Sequence, residues 1–138
     1  MIRRDTTIRV RYRDTDQMGV VYHGVYLEFF ETGRTELLRQ LGFPYASLEE
    51  SGVMLPLIDA YIKMLRPARY DNLLTVTATV VRPITARMRI DYEIHYAGAL
   101  LVSGYTVHAF TTVDGMRPVR PPKSFLEMLD REEGNETA

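Results

Sequence analysis

The stretch that decides the fold is RVRYRDTDQMGVVYHGVYLEFFETGRTE, residues 9–36. Around its start, Ile8, Val10 and Tyr12 alternate with arginines, and this period of two predicts a half-buried strand over residues 7–13. A polar loop, residues 14–19, ends the alternation. Beyond the loop, apolar residues recur every three or four positions, which predicts a helix. The sequence therefore places a strand, a short polar loop and a helix in direct succession.

The predicted helix extends from about Gly24 to Leu41 and has one apolar face. The residues on that face are Tyr26, Phe29, Phe30, Gly33, Leu37 and Leu41. Gly42 and Pro44 follow as stop signals, and residues 46–51 predict one further helical turn. A glycine at position 33 costs about 1 kcal/mol of helix stability relative to alanine. Close packing of the helix against a sheet is a physical reason for this glycine.

The rest of the chain predicts strands joined by tight turns. The predicted strands are Met54–Leu65, Leu73–Arg82, Ala86–Tyr96 and Leu100–Val113, and a short helix, Lys123–Arg131, follows them. Residues 97–99 predict a hairpin turn, and Gly104 predicts a bulge or bend. Four strands in consecutive hairpins after one helix indicate an α+β fold, with an antiparallel sheet wrapped around the long helix. The exposed sheet edge predicts pairing between two subunits.

The composition is typical of one soluble globular domain. We expect a single domain over residues 1–138, with a frayed charged tail from about residue 132. The chain is 46% hydrophobic and 25% charged, which excludes disorder or a coiled coil as a description of the whole. A net charge of −1 argues against general nucleic-acid binding. Neither a signal peptide nor a membrane span is predicted, so we expect a cytoplasmic protein.

The residues that carry chemistry lie between the first strand and the helix. Asp14 and Asp16 flank Thr15, and His23 lies at or just before the helix start. A helix start offers free backbone N–H groups that can hold a developing oxyanion, and a nearby carboxylate can act as a base or a nucleophile. Ordinary turn chemistry is an alternative explanation of the two aspartates. A metal site is disfavoured because no further ligand has suitable spacing, and no metal is expected.

Several catalytic classes are excluded by residues that the sequence lacks. The chain has no cysteine, which excludes disulfides, cysteine-ligated zinc, iron–sulfur clusters and a cysteine nucleophile. It has no Gly-x-Ser-x-Gly elbow, no P-loop and no dinucleotide-binding glycine fingerprint. The groups that this stretch still offers are a carboxylate, an imidazole and the backbone N–H groups at the helix start.

Residues 9–36 resemble the hotdog-fold acyl-CoA thioesterases, specifically the 4-hydroxybenzoyl-CoA thioesterase-like branch that includes the Tol-Pal-associated thioesterases. Residues 66–72, RPARYDN, and residues 120–122, RPP, resemble the same branch. The resemblance implies that Asp16 is the catalytic carboxylate, that His23 lies at the helix start and that Tyr12 lines the site. It further implies that the backbone N–H groups of His23 and Gly24 polarise the thioester carbonyl. Relatives often have Ala or Asn at the position of Gly24.

The implied reaction is hydrolysis of an acyl-CoA to the free acid and coenzyme A, with no additional cofactor. Forked arginine donors suit the phosphates of coenzyme A. The candidates for this contact are Arg66, Arg69, Arg87, Arg89, Arg120 and Lys123. The resemblance also implies a homodimer, often doubled to a homotetramer, with sites at subunit interfaces. Two alternatives stay open: a hotdog dehydratase or hydratase, and a non-catalytic acyl-CoA-binding or interaction protein.

Overall fold

A five-stranded antiparallel sheet wraps around one long helix in the computed structural model, which describes residues 1–137. In chain order the elements are β1 (Arg3–Arg9), a 3-10 turn (Tyr12–Asp14), α1 (Val25–Gln40), α2 (Tyr45–Glu50), β2 (Val53–Met54), β3 (Leu57–Met64), β4 (Leu73–Val80), β5 (Arg87–Tyr96), β6 (Ala99–Ala109), β7 (Thr111–Thr112) and α3 (Lys123–Thr137). The predicted α+β class and the predicted central helix are confirmed. None of the helices within residues 1–137 is long and apolar enough to cross a membrane.

The strand order of the sheet is β1-β4-β5-β6-β3. The successive pairing of β4, β5 and β6 agrees with the prediction, but the predicted hairpin between β3 and β4 is wrong. β3 pairs with β6 at the far edge of the sheet, and residues 65–72 carry the chain back to β4. The different burial of β3 and β4 agrees with their different positions in the sheet. β4 has a buried alternate face that suits an interior strand, whereas β3 is exposed along nearly its whole length and suits an edge.

Helix α1 packs its apolar face onto the inner face of the sheet. All six residues predicted for that face are buried. A Cβ atom built on Gly33 would lie 2.8 Å from Val76 Cγ1 of β4, so a larger side chain would push the helix off the sheet. The predicted reason for this glycine, close packing of the helix, is confirmed.

Gly104 allows a close approach within the sheet and does not form a bulge. It pairs in regular register with Ile62 and Tyr92, and a Cβ atom there would lie 2.1 Å from the Tyr61 carbonyl oxygen and 2.9 Å from the Phe30 ring. The Phe30 and Tyr92 rings stack with centroids 4.3 Å apart directly beside it. The predicted bulge is therefore wrong, because the missing side chain makes room for the Phe30 ring.

The predicted hairpin turn between β5 and β6 is confirmed. Ala97 and Gly98 both have positive φ, 49° and 82°, which is the backbone signature of a type I′ hairpin. The register shifts by one residue just before this turn, between Ile94 and His95. The turn fixes the pairing of the two longest strands of the sheet.

Four other elements differ from the predicted boundaries. The predicted strand over residues 100–113 is divided into β6 and β7, and β7 pairs with β2 in a separate two-stranded sheet. β1 begins at Arg3 and ends at Arg9, so Tyr12 lies in the 3-10 turn and not in a strand. The predicted strand over residues 54–65 is divided at Pro56 into β2 and β3, because the proline has no N–H for a ladder. The predicted terminal helix continues to Thr137, and residue 138 lies outside the described residues.

Ion pairs connect the later turns of α3 to the rest of the chain. Arg4 on β1 contacts Glu136 at 2.8 Å and Glu132 at 3.3 Å. Arg82 contacts Asp130 at 2.7 Å. These carboxylates lie on the last two turns of α3, so one arginine of β1 and one of the segment after β4 contact those turns.

A chain of buried polar groups lies between α1 and β6. His108 is fully buried, and its Nδ1 lies 3.2 Å from the Leu55 carbonyl oxygen. Its Nε2 lies 2.9 Å from Thr106 Oγ1 and 3.4 Å from the Arg34 guanidinium. The Tyr92 hydroxyl lies 2.7 Å from the same threonine oxygen. Each of these groups finds a hydrogen-bond partner without water, as buried polar groups require.

Candidate active site

The loop between β1 and α1 is held together by Asp14. Its carboxylate is 2% exposed, and Oδ2 accepts a hydrogen bond from the Arg11 backbone N–H at 2.8 Å. The Arg11 guanidinium lies 3.3 Å from Oδ1. The Asp14 carbonyl oxygen accepts the N–H of Tyr22 at 2.9 Å, so this aspartate joins both arms of the loop. Asp14 therefore has a structural role that the sequence did not separate from the role of its neighbour Asp16.

Asp16 lies at the tip of this loop in a tight turn. Its Oδ1 accepts the backbone N–H of Met18 at 2.8 Å and that of Val20 at 3.4 Å. Its own N–H donates to the Val20 carbonyl at 2.9 Å, and Gly19 supplies the positive φ of 79° that the turn requires. No hydrogen bond to Oδ2 is found among residues 1–137. One carboxylate oxygen is thus fixed by the turn and the other is available for chemistry.

A segment between β3 and β4 supports the loop from behind. The Val21 N–H donates to the Ala68 carbonyl at 2.8 Å, and Val20 forms a bridge with Arg69. The Ala68 N–H in turn donates to the hydroxyl of Tyr26 on α1 at 3.4 Å. The loop is therefore fastened to both the sheet and the helix, and the RPARYDN segment belongs to the site.

Helix α1 begins directly after His23. Gly24 is the N-cap residue, and Val25 is the first helical residue. Within the described chain, the N–H groups of His23 and Gly24 donate to no protein acceptor, and both residues are exposed. A Cβ atom on Gly24 would lie 3.0 Å from the ring of Tyr22, which is 50% exposed. The helix start thus presents two free donors, with the positive end of the helix dipole behind them.

Two pairs of aromatic rings lie in this loop and in the segment beside it. The rings of Tyr22 and His23 have centroids 4.2 Å apart, and those of Tyr12 and Tyr70 meet edge to face at 5.6 Å. Tyr12 is 80% exposed, so its ring lies on the solvent side of the loop. Its carbonyl accepts both the N–H and the hydroxyl of Thr15, at 3.2 and 2.8 Å. Tyr12 is thereby connected to the residue that separates the two aspartates.

The sequence profile of the thioesterase-like superfamily matches residues 10–129, which include the whole of this loop and most of the sheet. The chain belongs to the thioesterase-like superfamily. This membership confirms the resemblance that residues 9–36 indicated.

Individual relatives agree with this assignment. The chain is 37% identical over 118 residues to the acyl-CoA thioesterase YbgC of Haemophilus influenzae, covering 84% of this chain and 86% of that one. A DHNA-CoA thioesterase from Staphylococcus aureus superposes with a TM-score of 0.91 at 30% identity, over 100% of this chain and 97% of the other. A 4-hydroxybenzoyl-CoA thioesterase superposes with a TM-score of 0.84 at 17% identity, over 93% of this chain and 99% of the other, and this likeness bears on the fold alone. The predicted hotdog fold is confirmed.

In this superfamily member, two of the six basic candidates lie beside the loop. Arg66 and Arg69 belong to the segment that supports it, and both side chains are exposed. Within residues 1–137, no carboxylate lies within 4 Å of either guanidinium. Each guanidinium therefore has its donors available for an anionic ligand.

The other four candidates lie elsewhere. Arg120 and Lys123 line a separate cavity of about 560 Å³, and Arg87 is the residue after Ala86, which lines the same cavity. Arg89 contacts Asp91 at 2.8 Å, and its guanidinium covers the Tyr105 ring at 4.0 Å. The structure thus does not bring the six candidates together within one chain. A carboxylate and an aromatic ring already engage Arg89, and Lys123 Nζ lies 3.9 Å from the Glu127 carboxylate.

No metal site accompanies the loop. Within residues 1–137, no group of three or more His, Asp or Glu side chains is arranged to hold a metal ion. Asp14 is committed to Arg11, and Asp16 is committed through one oxygen to its turn. The chemistry that the site offers is that of a carboxylate, an imidazole and two backbone donors.

Proposed function

We propose that the chain is an acyl-CoA thioesterase that hydrolyses the thioester bond of an acyl-CoA to the free acid and coenzyme A. Membership of the thioesterase-like superfamily and the similarity to YbgC support this proposal. The observation that carries it is local. A carboxylate with one available oxygen shares a short loop with two unpartnered N–H groups at the start of α1.

The proposed mechanism needs no cofactor, because the thioester is itself activated. Its leaving thiol resembles cysteine, whose pKa is about 8.5. In one route Asp16 takes a proton from water as the oxygen attacks the carbonyl carbon; in the other, Asp16 attacks and water hydrolyses the resulting anhydride. In both routes a C–O bond forms, the C–S bond breaks and the sulfur leaves as a thiol. In the proposed reaction, the imidazole of His23 protonates the departing sulfur.

The N–H groups of His23 and Gly24 would stabilise the oxyanion that forms before the C–S bond breaks. Removing one donor of this kind typically lowers the rate by about 100-fold to 1000-fold. A backbone donor survives substitution of its own side chain, so the contribution of the His23 main chain is separable from that of its ring. Tyr12 is assigned to orienting Asp16, through the contact of its carbonyl with Thr15.

The decisive experiment measures thiol release from a panel of acyl-CoAs. We expect Asp16→Asn to lower kcat by 100-fold or more while the variant stays folded, and His23→Ala to cause a smaller loss. Asp114→Asn, at an exposed turn, serves as the matched control and should match the wild type. Near-normal turnover by folded Asp16→Asn would overturn the role of Asp16. Hydration of an enoyl-CoA, or binding without turnover, would favour the hydratase or the binding protein instead.

Pairing of two copies along β3 is the second part of the proposal. This edge strand exposes apolar side chains, among them Leu57, Ile58, Tyr61 and Met64, each 45–55% exposed. Unpaired N–H and C=O groups on an apolar edge are a template for a second strand. We expect a homodimer, or a homotetramer of two such dimers, with sites at the subunit interfaces. Ile58→Lys should shift sedimentation toward the monomer and lower activity in parallel; a fully active monomer would refute this arrangement.

Binding of the coenzyme A phosphates is assigned first to Arg66 and Arg69, since both lie beside the loop and pair with no carboxylate in the described chain. Arg66→Glu should raise KM more than it lowers kcat, because the phosphates lie away from the reacting carbonyl. Arg117→Glu is the matched control, since Arg117 is an exposed arginine that is not one of the six candidates. An unchanged KM in both Arg66→Glu and Arg69→Glu would remove the assignment.

A further inference from the structure

Ala68 is the point at which the two halves of the site meet. Its carbonyl oxygen accepts the Val21 N–H at 2.8 Å, and its own N–H donates to the Tyr26 hydroxyl at 3.4 Å. Val21 belongs to the loop that carries Asp16, whereas Tyr26 belongs to α1. One residue of the segment between β3 and β4 therefore connects the arm of the carboxylate to the helix.

A short series of backbone contacts leads from Val21 to the carboxylate. The neighbouring Val20 donates its N–H to Asp16 Oδ1 at 3.4 Å, and its carbonyl oxygen accepts the Asp16 N–H at 2.9 Å. Val20 also forms a bridge with Arg69, the residue after Ala68. A displacement of Ala68 would therefore move the turn that holds Asp16.

On the helix side, Tyr26 contacts both the helix start and Ala68. Its backbone N–H donates to the carbonyl oxygen of His23, the residue before the N-cap, at 3.3 Å. Its hydroxyl, at the far end of the side chain, accepts the Ala68 N–H. A tyrosine side chain has only two torsion angles, so its ring is a stiff spacer between these two contacts. The main chain at the helix start is thereby held at a fixed distance from Ala68.

The contacts around Ala68 are shielded from water. Ala68 is fully buried, Tyr26 is 2% exposed and Val21 is 4% exposed. A buried N–H that loses its acceptor finds no water to replace it, so loss of the Tyr26 hydroxyl would favour a shift of this segment. Burial raises the pKa of Tyr26 above its usual value of about 10, so the hydroxyl is neutral at neutral pH.

We infer that Tyr26 is a positioning residue, whose hydroxyl sets the distance between the Asp16 carboxylate and the N–H groups at the helix start. This inference rests on the proposed thioesterase function, in which the carboxylate and the N–H groups act on the same carbonyl group. A displacement of about 1 Å in an active site can lower the rate about 100-fold. Loss of the hydroxyl with retention of the ring should cause part of such a displacement, so we expect kcat to fall about tenfold.

The test measures thiol release by the full chain and by Tyr26→Phe, with the acyl-CoA that the wild type hydrolyses fastest. We expect kcat to fall about tenfold and KM to change less than about twofold, because the hydroxyl binds the protein and not the coenzyme. Equal kcat values in the variant and the wild type would overturn the inference.

Tyr92→Phe is the matched control. The Tyr92 hydroxyl is also buried, but its partner is Thr106 in the polar chain between α1 and β6, away from the loop of Asp16. Both variants lose one buried hydrogen bond, so both should lower the midpoint of urea unfolding. Only Tyr26→Phe should lower kcat. An equal loss of kcat in Tyr92→Phe would show a general effect of stability and would overturn the inference.

A double-mutant cycle with Asp16→Asn separates positioning from a structural role. If Tyr26 acts through Asp16, Tyr26→Phe should lower the residual kcat of Asp16→Asn by less than about twofold, because no carboxylate is left to misplace. An equal loss in both backgrounds would show that Tyr26 acts independently of Asp16 and would overturn the inference. A wild-type protein that hydrolyses no acyl-CoA would instead refute the proposed function.

Amide hydrogen exchange of the wild type tests the contact itself and needs no variant to fold. The Ala68 amide should be protected to the same degree as the Val21 amide, because each donates to a buried acceptor. The exposed Gly24 amide is the unprotected reference. An Ala68 amide that exchanges as fast as that of Gly24 would overturn the inference, even if Tyr26→Phe failed to fold.

Discussion

Acidification is expected to destabilise the protein through one buried histidine, His108. In the neutral ring, Nδ1–H donates to the Leu55 carbonyl at 3.2 Å, and Nε2 accepts from the Thr106 hydroxyl at 2.9 Å. Protonation would turn Nε2 into a second donor that faces the Arg34 guanidinium, 3.4 Å away. Burial first, and the positive charge of Arg34 second, lower the pKa of His108 from 6.5 to about 4.

The sign of the effect follows from the two pKa values. Between pH 6.5 and pH 4 the unfolded chain binds a proton at His108 and the folded chain does not, so the free energy of unfolding falls as the pH falls. The stabilisation is complete above pH 6.5 and is lost progressively down to pH 4. The full difference in pKa corresponds to about 3 kcal/mol, of which about 2 kcal/mol is lost between pH 7 and pH 4.5.

Urea unfolding at pH 7 and at pH 4.5 measures this loss. Circular dichroism is a suitable signal because the chain has no tryptophan. Carboxylates also titrate in this range, so the informative quantity is the difference between the wild type and His108→Gln, which cannot protonate. We expect the variant to lose about 2 kcal/mol less than the wild type over that interval. Arg34→Gln, which removes the nearby cation, should give an intermediate loss; equal losses in all three proteins would refute the argument.

Two further substitutions test how the fold holds the site. Gly104→Ala should lower the free energy of unfolding by about 1–3 kcal/mol, because the new methyl meets the Tyr61 carbonyl and the Phe30 ring. Gly134→Ala is its control, since a Cβ atom there meets no atom within 4 Å, and urea unfolding should show no loss of stability. Asp14→Ala should lower the free energy of unfolding by about 1–3 kcal/mol, because it leaves the Arg11 N–H without its buried acceptor. The same variant should lower kcat in a thiol-release assay. A kcat equal to that of the wild type would contradict the anchoring role of Asp14.

The periodicity of the sequence predicts individual helices and strands better than it predicts which strands pair with each other in the sheet. The helical face around Gly33 and the alternating strand over residues 87–96 were predicted because each pattern reports its own burial. The position of β3 at the edge of the sheet could not be predicted, because an apolar run of this length also fits an interior strand. β3 pairs with β6, a strand far along the chain, and with no other strand of the described sheet, and its side chains are exposed on both faces.

The candidate site was predictable to the extent that it is contiguous in sequence. Asp16, His23 and Gly24 lie within nine residues of one another, so a loop followed by a helix start brings them into one region. The difference between Asp14 and Asp16 was not predictable, because both are aspartates in the same polar loop. Burial separates them: Asp14 is 2% exposed and bound to Arg11, whereas Asp16 keeps one oxygen available.

The different roles of Asp14 and Asp16 have a physical basis. A carboxylate that acts on water or on a thioester needs a fixed position and an oxygen free of other partners. In this loop the backbone N–H groups of the turn fix the position of Asp16 and bind only its Oδ1. The carboxylate of Asp14 binds Arg11 instead and stabilises the loop. A single aspartate bound on both oxygens would be well placed and unreactive. Because a thioester has a good leaving group, one carboxylate positioned in this way, together with two backbone donors, suffices for the proposed chemistry without a cysteine or serine nucleophile.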